Sequence, residues 1–169
     1  MRRKEFIMRK IFPATFLILC LLLTSCGGDK AAAVFPGTID EFIGTFNSRA
    51  EDTDYALGET ADADDGTITV ATRNENSSVF CTEEDGLLKR IEVEGAGIFQ
   101  PGLGSFDYMV YALIACDGSL DYKGAGDMIA SMYYEAYTGG EPVVMAYDGI
   151  KYSFLKESYY CMLTIETAQ

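Results

Sequence analysis

From Thr38 to Gln169 the sequence predicts an α+β domain of two layers, an antiparallel sheet with helices packed on one face. Apolar residues alternate with period two in one block up to Val93 and in a second block from Val143 to Ile165. Between and before these blocks, Ile39 to Phe46 and Phe106 to Ala136 carry apolar stripes at helical spacing. Strands and helices therefore come in runs rather than alternating one by one, and runs of this kind lead to segregated layers instead of a parallel sheet.

Thr38 reads as a helix N-cap, with Glu41 three residues on completing a capping box. The helix should reach Arg49 or Ala50 and bury Phe42, Ile43 and Phe46. A weak strand is expected over Thr53 to Gly58, then a turn from Ala61 to Gly66. Thr67 to Thr72 alternates, placing Ile68 and Val70 on one face. Asn74 to Ser77 is a turn, Val79 to Cys81 a short strand and Glu84-Asp85-Gly86 another turn. Leu87, Ile91 and Val93 should then share a face against Arg90, Glu92 and Glu94. Gly95 to Gly104 is a glycine-rich connection. It holds neither a dinucleotide nor a P-loop pattern and reads as a bend between layers.

From Ser105 the period changes. Phe106, Met109, Val110 and Leu113 form a helical stripe that Asp117-Gly118 ends. Asp121 starts a second helix, with Ala125, Ile129, Met132, Tyr133 and Ala136 in register, and Thr138-Gly139-Gly140 closes it. Val143 to Ala146, a tight turn at Asp148-Gly149 and a return through Tyr152 and Phe154 make a hairpin. After a turn at Glu157-Ser158, Tyr159, Cys161, Leu163 and Ile165 line one face of a last strand. This layering is similar to that of β-lactamase-inhibitor-like domains, although no motif is shared and no residue roles carry over.

The N-terminal segment is of another kind. Five basic residues among the first ten, offset only by Glu5, precede an almost wholly apolar run from Ile11 to Leu23. A charged region, an apolar segment of about 7–15 residues and small closing residues define a secretory signal. A spanning helix needs about 20 apolar residues, and Gly27 to Lys30 arrive too soon. Leu23-Thr24-Ser25-Cys26 resembles the lipobox of bacterial lipoproteins. That resemblance covers the signal region alone and implies that residues 1–25 are removed. It also implies that the Cys26 thiol carries a diacylglyceryl group, so that the chain is held at the cell membrane with its domain on the extracytoplasmic side. Two acyl chains hold stably where one of myristoyl length is marginal. Residues 26–37, rich in Gly and Ala, then read as the lipid-bearing cysteine and its tether, and 38–169 as a single ectodomain.

Composition excludes more than it includes. The chain carries −13, and residues 1–25 hold five basic and one acidic side chain, leaving −17 on the rest. Such a domain repels phosphate backbones, which argues against nucleic acid as a partner. Histidine is absent, so no Ser-His or Cys-His nucleophile, histidine base or histidine-bound zinc exists here. Cys81, Cys116 and Cys161 are far apart, with no C-x-x-C spacing. They read as buried thiols, with one disulfide among them left open.

The remaining candidates for chemistry are weak. Seven acids between Glu51 and Asp65 invite calcium, but Asp62 to Gly66 misses EF-hand register and reads as a solvated turn. Asp107, Asp117, Asp121 and Asp127 read as helix-end and solvent-facing residues. Tyr134, Tyr147 and Tyr160 belong to the densest aromatic population and would form an interaction surface if they face solvent together. The sequence therefore points to a membrane-anchored, non-catalytic binding domain with no cofactor and an envelope protein as partner. The alternative is a surface hydrolase using paired carboxylates.

Overall fold

Two-residue turns set the register of the sheet. Asp85-Gly86 and Asp148-Gly149 both adopt positive φ at each position (54° and 75°; 47° and 79°), the conformation that matches strand twist in a tight hairpin. The computed structural model describes residues 35–63, 66–97 and 99–168. The signal segment, Cys26 and all but the end of the tether lie outside the described residues, as do Asp64 and Asp65 of the acidic turn.

The strands are β1 (Thr60–Asp62), β2 (Ile68–Val70), β3 (Ser77–Glu84), β4 (Leu87–Ala96), β5 (Val143–Tyr147), β6 (Ile150–Glu157) and β7 (Tyr160–Thr167). They form one sheet in the order β1-β2-β3-β4-β7-β6-β5, and every pairing is antiparallel. The helices are α1 (Ile39–Arg49), α2 (Ser105–Cys116) and α3 (Tyr122–Gly139). α2 packs on β4 and β7, α3 on β6 and β5, and α1 lies against α2. The α+β two-layer architecture is as the sequence predicts.

The core is a row of side chains carried across the sheet by register. Val143, Phe154, Leu163, Val93, Val79 and Val70 stand opposite one another in turn, and all are buried beneath the helices. Each such side chain contributes roughly 1.5–3 kcal/mol by leaving water. α1 begins as its capping box requires: the Glu41 N–H donates to Thr38 Oγ1 at 3.2 Å. The Glu41 carboxylate reaches back to the Gly37 N–H at 2.8 Å, one residue before the cap. Asp121 caps α3 by accepting from the Gly124 N–H at 2.6 Å.

Several local expectations are corrected. Residues 53–58 form no strand. The Asn47 side chain claims the Leu57 N–H (2.7 Å) and C=O (3.0 Å), so those groups are not free for a ladder. Thr60–Asp62 is the edge strand β1, so Ala61 and Asp62 do not belong to the turn expected from Ala61 to Gly66. Val79 to Cys81 is the middle of the eight-residue β3. In β4 the register shifts so that Thr82 faces Arg90 and Glu83 faces Leu88, leaving Lys89 as the extra residue of a bulge. The bulge inverts the faces before it, so Leu88 is buried at 3% exposure and Leu87 is 50% exposed. Ile43 is half-buried rather than core, and Tyr159 lies exposed in the β6–β7 turn. α2 is buried on every side along its twelve residues, where one stripe was expected, because α1, α3 and the sheet enclose it.

Candidate functional site

An apolar groove lies where the connection after β4 crosses over α2 and α3. Its entry into α2 is fixed by Gly104, whose φ is 73°. A Cβ there would stand 1.6 Å from Asn74 Nδ2, so only glycine fits. The loop ahead of it turns Phe99 back onto the helices. The Phe99 ring stacks on Tyr133 at 4.9 Å and 16° and meets Phe106 edge-on at 5.3 Å. Tyr133 continues the row to Tyr137 at 6.2 Å, and Lys156 Nζ lies 5.3 Å from the centre of that last ring. Offset and edge contacts of this kind are the favoured aromatic geometries.

Between these rings and α3 lies a groove of about 420 Å³, within the range of small-ligand sites. Phe99, Pro101, Phe106, Tyr122, Tyr133 and Tyr134 form its walls. Gly126 keeps it open, because a Cβ at that position would touch the Phe106 ring at 3.6 Å. Lys123 and Asp127, one turn apart on α3 and ion-paired with each other, stand at the rim with Gln100. The polar rim thus adds no net charge.

One wall of the groove is anchored from behind. Tyr122 is 41% exposed, yet its hydroxyl donates to Oδ1 of Asp107. Asp107 is 2% exposed, and its Oδ2 has no hydrogen-bond partner among the described residues. The carboxylate sits in the first turn of α2, where the helix dipole favours negative charge. Tyr111 packs beside Tyr122 at 5.6 Å and Tyr55 beside Tyr111 at 6.2 Å. Burial first, and then the adjacent carboxylate, hold the Tyr122 and Tyr55 hydroxyls above the ordinary phenol range. At neutral pH these phenols are donors that surround an acceptor.

The carboxylates correct the sequence reading in two places. Asp107 and Asp117 are buried rather than solvent-facing. Asp117 accepts from the Ser119 N–H at 3.0 Å and hydroxyl at 2.6 Å. Ten residues of helix separate it from Asp107, about 15 Å of rise, beyond the about 5–9.5 Å of a hydrolytic carboxylate pair. Among the described residues no group of three metal-ligating side chains comes together. Cys81, Cys116 and Cys161 are free and buried, and burial raises Cys81 to about 12 and Cys161 to about 11. These thiols are inert as nucleophiles.

The three tyrosines expected at an interaction surface are not brought together. Tyr134 lies on the groove rim. Tyr147 ends the outermost strand, in the same row parity as buried Val143 and so on the helix side. Tyr160 is on the opposite face of the sheet, half-buried, its hydroxyl donating to Glu94 Oε1 at 2.6 Å. Cys26 lies outside the described residues. Phe99, Tyr122 and Gly126 were not singled out from sequence, and Asp107 was read there only as a helix-end, solvent-facing residue. Gly126, a glycine in a helix interior, was the one available signal. No protein-family model matches this chain, and neither a curated protein nor a solved structure matches it.

Proposed function

We infer that this chain is a bacterial lipoprotein, held outside the cytoplasmic membrane by lipid on Cys26, whose ectodomain binds rather than catalyses. Its partner is an envelope protein that inserts a large apolar side chain, flanked by basic residues, into the groove between α2 and α3. The exposed aromatic groove carries this reading. Pro101, Tyr122 and Tyr134 are exposed at its walls, with Phe99 and Tyr133 half-buried behind them and Phe106 buried at its floor, and apolar patches rimmed by polar groups mark recognition sites. The excess of acidic side chains supplies the preference for basic flanks, since complementary charge steers encounter and selects partners. The sequence Leu23-Thr24-Ser25-Cys26, placed after its basic leader and apolar run, supports the anchor.

The groove is tested by tyrosine fluorescence and NMR titration with a phenylalanine peptide flanked by lysines. Saturable binding is expected, together with its loss in Ala130→Trp, which fills the groove. Equal binding of the glutamate-flanked peptide, or none of either, would overturn the assignment. For the anchor, Cys26→Ser should move the protein from the detergent phase to the aqueous phase.

A further inference from the structure

The two ends of the sheet are built differently. β1 is three residues long and bears Asp62, with Glu59 beside it; short, charged edges resist pairing with other chains. β5, Val143-Val144-Met145-Ala146-Tyr147, has neither charge nor proline. β6 pairs with one side of it, and no described strand pairs with the other. Val144, Met145 and Tyr147 are 57%, 43% and 55% exposed. An uncharged, apolar edge of this kind is a template for a further strand.

The hydrogen-bond parity of that edge says what fits it. Tyr147 and Ile150 close the two-residue turn, so they exchange both ladder bonds, and Met145 and Val143 do likewise with β6. Val144 and Ala146 are left with their N–H and C=O groups pointing outward. These two residues stand symmetrically about Met145. We propose that β5 pairs antiparallel with β5 of a second copy of this chain, about a two-fold axis through Met145. Val144 of each copy then faces Ala146 of the other and satisfies all the outward groups in four hydrogen bonds. Val143 faces Tyr147 on the helix side, so both copies keep the same face of the sheet to their helices. An isologous contact needs this self-complementarity, and a neutral strand places no like charges opposite each other. Only Glu141 and Asp148, just outside the paired segment, bring acids near one another. A five-residue contact also buries less than the roughly 1,200–2,000 Å² of a stable interface. The pairing is therefore weak in dilute solution and strengthens with added salt.

Cysteine cross-linking of the full chain in cells tests the register. Opposed residues of a non-hydrogen-bonded antiparallel pair have Cα atoms about 4.5 Å apart, inside the about 4.4–6.8 Å a disulfide spans. Met145 meets Met145 in such a pair. Met145→Cys under a mild oxidant should give a reducible species of twice the chain mass, at least fivefold above the parent chain. Val144→Cys, whose copies stand diagonally at about 7–8 Å, should stay at the parent level. Adding Ala146→Pro to Met145→Cys removes an outward N–H without touching the β5–β6 ladder, and should abolish the cross-link while Tm is unchanged. No doubled species, equal yield from Val144→Cys, or a cross-link that survives Ala146→Pro would overturn the proposal. A Met145→Cys product linked to a different protein would overturn the second copy as occupant.

Discussion

Removing one oxygen atom from Tyr122 tests whether the groove wall is held from behind. Tyr122→Phe leaves the ring in place and deletes the hydrogen bond that the Tyr122 hydroxyl donates to Oδ1 of Asp107. A hydrogen bond to a charged group contributes about 1.5–3 kcal/mol, and a buried acceptor left unpaired bears its full desolvation penalty. Asp107 is 2% exposed, which argues for the upper end, whereas Tyr122 is 41% exposed, so water can partly replace its hydroxyl. The expected loss is therefore about 2 kcal/mol, which for a domain of this size lowers Tm by roughly 6–10 °C. Urea unfolding at pH 7, followed by circular dichroism, measures it. Tyr134→Phe, whose ring is on the rim, should change stability by less than about 0.5 kcal/mol. Asp107→Leu has the branching of aspartate, and combined with Tyr122→Phe it should recover most of the loss, because replacing both partners by apolar groups is nearly neutral. If Tyr122→Phe matches Tyr134→Phe, or if the double variant is as unstable as the two single losses added together, the anchor is not what positions this wall.

Three further outcomes follow from the same geometry. Gly126→Ala should raise stability by about 0.5–1 kcal/mol through helix propensity while weakening binding of the lysine-flanked phenylalanine peptide, since its Cβ contacts Phe106 at 3.6 Å; Tm and the titration read the two effects separately. Gly95→Ala would set a Cβ 2.3 Å from Ser105 Cβ and should cost about 1–3 kcal/mol. Adding Ser105→Gly should give a double variant more stable in urea than the summed single losses predict. Stability should also fall in alkali. Burial raises Cys81 to about 12 and Cys161 to about 11 and lifts the Tyr108 and Tyr152 phenols. The unfolded chain releases these protons near pH 9–10, so the protection is whole below pH 9 and drains away between 9 and 12. Urea midpoints at pH 8, 9.5 and 11, with tyrosinate absorbance at 295 nm, check this, and a flat profile through pH 11 would contradict it.

The elements were legible where a residue type has only one local use. Thr38 with Glu41, Asp121, and the Asp-Gly pairs at 85–86 and 148–149 each set a boundary by their own chemistry. Leu87 and Leu88 show where pattern reading stops. Both are apolar, and a bulge opposite Thr82 and Glu83 decides which one reaches the core. Period two cannot register an inserted residue. The stripe through Phe106, Met109 and Leu113 located α2, but α2 is enclosed on all sides only because α1 and α3 flank it. The groove was least legible. Phe99 sits in an aperiodic glycine-rich connection, and Asp107 has the position of an ordinary helix-end acid. Its burial comes from Tyr122 and Tyr55, 15 residues after it in one case and 52 before it in the other.

The place of β7 in the sheet governs when the fold can form. β4 belongs to the first meander, yet its outer side is completed by β7, and Tyr160 and Glu94, which meet across that seam, are 66 residues apart. Closing so long a loop costs entropy before any pairing rewards it. Until Tyr160–Thr167 has been synthesised, β4 presents an open edge and α2 lacks part of its floor. A nascent chain therefore cannot complete this sheet from its front. A stop codon introduced at Tyr159 would do more than shorten the protein. It would leave a half-sheet whose central strand is exposed, a substrate for proteases or for aggregation rather than a smaller version of the domain.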